Sequence, residues 1–156
     1  MTKTCVGFLI AIFLGSTFSI FSQKDCVWVS QSPKDYIFFL HNRFLEENDL
    51  NAKHPEYGKA QYKEIIQSFE KDGFIVISEK RSPINNISTY ATKVISQIDS
   101  LFKIGVKPDH ITIIGTSKGG YIAQVVSSTL KNPDVNFVFI GCYQEADLKE
   151  MPDINY

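Results

Sequence analysis

The chain has 156 residues, 44% of them hydrophobic, which suffices for one globular domain and not for two. Sixteen Lys and Arg against 17 Asp and Glu leave a formal charge of -1, without the basic excess of a nucleic-acid binder. Aromatics at 13%, nine Gly and six Pro exclude a low-complexity or disordered chain, and three Cys are too few for a disulfide-stapled miniprotein.

Lys3 is the only charge among the first 23 residues, and Val6–Ile12 then runs apolar. Gly15, Ser16, Thr17 and Ser19 interrupt that run before it reaches the ~20 residues a membrane span requires. A short basic region, an apolar core and a small-residue end read as an export signal over 1–22, cut after Ser22. The expected mature domain is 23–156, secreted or periplasmic, with no stable membrane anchor. It keeps Cys26 and Cys142, which could pair in an oxidising compartment but lie at its two ends and are expected to be separate buried thiols.

Beyond the leader, short apolar runs alternate with amphipathic segments. Cys26–Val29 is a weak strand candidate, and Tyr36–Leu40 is a clear one. From Pro55 to Lys71, Tyr62, Ile65, Ile66 and Phe69 form one helical stripe, with Pro55 suited to the first turn and Gly73 to the residue past the end. Phe74–Ile77 reads as a strand. Val94, Ile95, Ile98, Leu101 and Phe102 give a second helix over Ser88–Lys103, closed by Gly105. Ile111–Ile114 is the third clear strand. Ile122, Val125, Val126 and Leu130 place a third helix over Lys118–Lys131, and Val135–Ile140 is the last strand. Continuous rather than alternating apolar runs suit strands covered on both faces. The alternation predicts an α/β fold: a three-layer α/β/α sandwich with a mostly parallel sheet.

The strand Ile111–Ile114 leads into Gly115-Thr116-Ser117-Lys118-Gly119-Gly120 and then a helix. This is G-x-S-x-G in a strand–turn–helix setting, the arrangement of a nucleophile elbow. A Ser on so sharp a turn needs strained backbone angles, and Gly115 and Gly119 remove Cβ atoms that would collide with neighbouring backbone. The helix beginning at the Ser aims backbone N–H groups at the reacting oxygen. No Walker or dinucleotide glycine motif is present.

On these residues the chain resembles the α/β-hydrolase family, over residues 36 to about 141. Phe38-Phe39-Leu40-His41-Asn42-Arg43 is similar to the family's third strand and the His-Gly loop after it. Phe74–Ile77 would be the fourth strand, Ile111–Ile114 the fifth and Val135–Ile140 the sixth, in the spatial order 4-3-5-6. The resemblance implies Ser117 as nucleophile and an oxyanion hole from the N–H groups of Lys118 and of Arg43 or Asn42. Asn42 stands where the family usually has Gly, and Asn tolerates left-handed angles. The implied substrate is a small-molecule ester or related acyl compound, with no cofactor and no metal.

The family's acid and His follow the Ser in the chain. Glu145 and Asp147 are the candidate acids, and both also suit solvated loop charges. No His follows Ser117; the three are His41, His54 and His110. His110 is expected at the wrong end of its strand, roughly 16 Å from the turn. His41 is expected to be structural, and His54 to be a loop residue. The chain therefore reads as a hydrolase-like domain incomplete at its C-terminus, or as a non-catalytic binding module of the same fold. An uncovered Val135–Ile140 would be an edge prone to self-association. Glu79-Lys80-Arg81, past the Phe74–Ile77 strand, could contact an anionic group, and Asn86-Ile87-Ser88 is a glycosylation sequon.

Overall fold

The computed structural model describes residues 34–143 in full and the backbone of residues 3–12 and 19–28. The chain divides into two units, Met1–Pro33 and Lys34–Tyr156. In the first, β1 (Lys3–Ile12) and β2 (Ser19–Trp28) pair antiparallel, with Lys3 opposite Trp28 and Ile12 opposite Ser19. The weak strand candidate at Cys26 thus falls in β2, as does the expected cleavage point after Ser22.

The second unit carries β3 (Tyr36–Leu40), α1 (Phe44–Glu47), β4 (Lys53–His54), β5 (Gly58–Lys59), α2 (Tyr62–Lys71), β6 (Ile75–Ile77), α3 (Ile87–Lys103), β7 (Ile111–Thr116), α4 (Lys118–Leu130) and β8 (Asn136–Ile140). Its four-stranded sheet is ordered β6-β3-β7-β8, and all three pairings are parallel. Only the labels differ from the order expected, because β1, β2, β4 and β5 also enter the count.

The sheet is the middle of three layers. Phe38, Leu40, Ile111 and Ile113 pack with Val94 and Ile98 of α3 and Ile122 and Val126 of α4. On the opposite face Ile37 and Phe39 pack with Leu45 of α1 and Tyr62, Ile65, Ile66 and Phe69 of α2. Ile37, Phe38, Phe39 and Leu40 are all buried, so the continuous run in β3 belongs to a strand covered on both faces.

β8 departs from that expectation. Phe137 and Phe139 pack on the α3–α4 side, whereas Val138 and Ile140 are 42% and 51% exposed. Among the described residues β8 is the last strand of the sheet, and nothing covers its other face.

The first predicted helix is the main correction. It starts at Tyr62, not Pro55, because residues 53–59 form a small antiparallel hairpin with Lys53 opposite Lys59 and His54 opposite Gly58. Pro55 sits in the hairpin turn, and Gly58 closes it at a φ of 74°. α2 and α3 stop where expected, before Gly73 and just before Gly105. Asn86 of the sequon caps α3, its Oδ1 accepting from the Thr89 N–H at 2.7 Å. No helix among the described residues is long and apolar enough to cross a membrane.

Candidate active site

Ser117 stands between the end of β7 and the start of α4 with φ 49° and ψ -120°. The positive φ falls in the left-handed range, but ψ is far from the value near +47° of that well, so an L-residue here is strained. The surroundings fix it there. The Ser117 N–H donates to the Ile140 carbonyl at 2.8 Å, and the Ser117 carbonyl accepts from the N–H groups of Gly120 and Tyr121 at 2.8 and 3.2 Å. The Lys118 N–H lies in the first turn of α4, where helix geometry supplies no acceptor.

Gly115 and Gly119 are required sterically. A Cβ on Gly115 would overlap the Gly119 carbonyl and lie 2.7 Å from the Gly120 Cα. One on Gly119 would overlap the Leu40 carbonyl and lie 2.7 Å from the His41 oxygen. The second contact seats the start of α4 directly on the end of β3, which places Ser117 beside the loop after Leu40. Ser117, Asn42 and Arg43 line one cavity of about 290 Å³, together with Phe44, His54, Tyr57, Gly58, Lys59 and Ala60.

Asn42 holds its loop in a different way from the one expected. It is not among the positive-φ residues; instead its Oδ1 accepts from the Leu45 N–H at 3.2 Å and caps the short helix α1. Arg43 opens that helix, and its side chain pairs with Glu47 at 2.7 Å. Glu145 and Asp147 lie outside the described residues.

Beneath the loop is a buried ionic cluster absent from the sequence reading. Arg81 Nε donates to Glu46 Oε1 at 2.9 Å, and both side chains are 1% exposed. Lys118 Nζ donates to Glu46 Oε2 at 2.6 Å and to the Asn85 carbonyl at 3.3 Å. Arg81 also donates to the His41 carbonyl, and its guanidinium lies 5.4 Å from the Tyr90 ring centroid. The anion met by Arg81 is therefore internal. Glu79 pairs with Lys93 and accepts from the Tyr90 hydroxyl at 3.0 Å, and Lys93 is the main cause of its lowered pKa. Burial raises the Tyr90 pKa, and the Glu79 carboxylate adds to it.

Among the described residues no hydrogen bond joins Ser117 to any of the three histidines. Buried His41 donates from Nδ1 to the Asn42 carbonyl at 2.7 Å and accepts the Arg81 N–H at Nε2 at 2.9 Å, so both nitrogens are used. Its pKa falls to about 4, through burial first and the Arg81 charge second. His54 is brought to the cavity by the unexpected hairpin, where its Nδ1 accepts the N–H groups of Glu56 and Tyr57 at 3.2 and 3.3 Å. His110 pairs with Asp35 at 2.6 Å, before β7 begins and at the opposite edge of the sheet from Ser117.

Cys142 is a free, buried thiol whose pKa burial pushes up, and it accepts from Gln124 Nε2 at 3.5 Å. Among the described residues no group of three or more His, Cys, Asp or Glu is placed to hold a metal ion.

No protein-family model matches the sequence, and no curated protein matches it significantly. Among solved structures it is similar to a candidate carboxylesterase from Lactobacillus plantarum WCFS1, at 10% identity and a TM-score of 0.40, over 84% of this chain and 52% of that one. It is also similar to the esterase Est22, at 14% identity and a TM-score of 0.36, over 83% of this chain and 39% of that one. The chain thus spans about half the length of the first and less of the second.

Proposed function

We propose that this domain is hydrolase-like and acts on an ester or related acyl bond through Ser117. The observation that carries the reading is the strained backbone of Ser117 at the β7–α4 junction, in a turn that admits no Cβ at Gly115 or Gly119. Ser117 Oγ would attack the ester carbonyl as its proton passes to water or buffer, and the N–H groups of Lys118 and of Arg43 or Asn42 would hold the oxyanion. Its collapse would break the ester C–O bond and release the alcohol before water hydrolyses the acyl-serine. Glu46 binds the Lys118 side chain and so steadies the residue that carries the first of those donors.

With no histidine hydrogen-bonded to Ser117 among the described residues, the 156-residue chain is expected to turn over p-nitrophenyl esters weakly, leaving roughly the 10³–10⁴-fold advantage over water of an oxyanion hole alone. The test of the assignment is a fluorophosphonate probe with peptide mass spectrometry. A covalent adduct on Ser117, lost in Ser117→Ala, is expected. A folded protein that gives no adduct would favour the second reading, a binding module using the same cavity without chemistry. The hydrogen bonds that engage His41 and the Nδ1 of His54 are what keep that alternative in view.

Residues 1–22 act, on this reading, as an export signal, from Lys3 followed by the Val6–Ile12 run. N-terminal sequencing of exported protein is expected to begin at Gln23; recovery of Met1 or Thr2 would refute it.

A further inference from the structure

The cavity beside Ser117 is walled by rings. Phe44 and His54 meet edge to face at 5.3 Å, and His54 and Tyr57 stack at 4.7 Å with 25° between their planes. Tyr57 is 77% exposed and so is open to a ligand entering the cavity. The ring arrangement is present without a ligand. Its rings sit on the 53–59 hairpin and on α1, and the His54 ring is fixed by the two backbone N–H groups it accepts.

Two cations also line the cavity, but each already has a carboxylate. Arg43 pairs with Glu47, and Lys59 pairs with Glu64. The wall is therefore aromatic and close to neutral, without a cation left over to demand an anionic substrate. Its volume of about 290 Å³ is at the small end for ligand pockets and suits one ring rather than a long chain.

We propose that this cavity is an aromatic subsite: it selects uncharged esters bearing an aryl group, which lies against Tyr57 and His54 while the ester carbonyl faces Ser117. The inference rests on the reading of Ser117 as the reacting residue, but ring recognition itself needs no reaction. Offset or edge-to-face ring pairs of this kind change affinity roughly threefold to tenfold each.

The test uses the full chain carrying Ser117→Ala, titrated by NMR with methyl cinnamate and, separately, methyl hexanoate. Tighter binding of the aryl ester, shifts centred on residues 42–60, and a threefold to tenfold loss for the aryl ester alone on adding Tyr57→Ala would support the subsite. Exposed Tyr57 makes that variant safe for folding. Equal affinities for the two esters, or an aryl ester indifferent to Tyr57→Ala, would overturn it. Aryl selectivity in a protein whose Ser117 resists the phosphonate probe would uphold the subsite and sink the hydrolase reading. A labelled Ser117 without aryl selectivity would do the reverse.

Discussion

Ser117 shows what a residue gives up to be presented at a turn. Its φ of 49° and ψ of -120° cost about 1–3 kcal/mol in a non-glycine residue. Ser117→Gly is therefore expected to raise stability by roughly 1 kcal/mol in urea denaturation, the relief exceeding the extra freedom glycine gives the unfolded chain. Gly119→Ala is expected to lose on the order of 3 kcal/mol, since its Cβ would meet the fixed carbonyls of Leu40 and His41. The need for both glycines was legible in the sequence, because a tight strand-to-helix turn leaves no other residue type room. His41 was legible only as a structural residue, not in its protonation. The unfolded chain binds its proton near pH 6.5 and the folded chain only near 4, so the neutral ring stabilises the fold fully above about 6.5. That contribution, roughly 3 kcal/mol, declines as pH falls from 6.5 towards 4. Urea midpoints measured across this range are expected to fall steeply for the wild type and less for His41→Gln, which keeps an acceptor for the Arg81 N–H.

At the level of elements, the Glu46–Arg81–Lys118 cluster ties α1, the segment after β6 and the start of α4 together. A buried ion pair broken on one side leaves an uncompensated charge, which typically costs 3–5 kcal/mol. Glu46→Gln is expected to lower unfolding free energy by about 3 kcal/mol, and in a cycle of Glu46→Leu, Arg81→Met and their double variant the double is expected to cost less than the sum of the singles. Full additivity in that cycle would show the pair uncoupled. No local signal marks this cluster in the sequence. Glu46 and Arg81 are 35 residues apart in polar stretches that look solvated, and only the parallel pairing of β3 with β6 brings them together. The 53–59 hairpin was missed for a related reason: Pro55 satisfies a helix start and a turn equally well, and the pairing of Lys53 with Lys59 is set by neighbours rather than by propensity. The strands and the later helices were legible because their apolar runs and stripes are uninterrupted, with Gly105 closing α3 and Pro133 following α4.

At the scale of the whole molecule, the sheet places the Ser117 turn at the C-terminal ends of its parallel strands and leaves β8 outermost among the described residues. Exposed Val138 and Ile140 on that strand favour pairing with a second copy, so the isolated chain is expected to sediment as oligomers, and Val138→Lys to shift it towards monomer. The sheet order was legible from the resemblance. That no histidine follows Ser117 was legible in the sequence, but the partners of His41, His54 and His110 required the fold. The response of Ser117 labelling to an external base tests its role as nucleophile most directly. Fluorophosphonate labelling should be slow in buffer and accelerated by added imidazole, which supplies a proton acceptor where His41, His54 and His110 make no hydrogen bond to Ser117. The predicted result is a single adduct at Ser117 whose rate rises with neutral imidazole and which Ser117→Ala abolishes. A folded protein in which Ser117 stays unmodified at every imidazole concentration, or reacts no faster than its other serines, would contradict it.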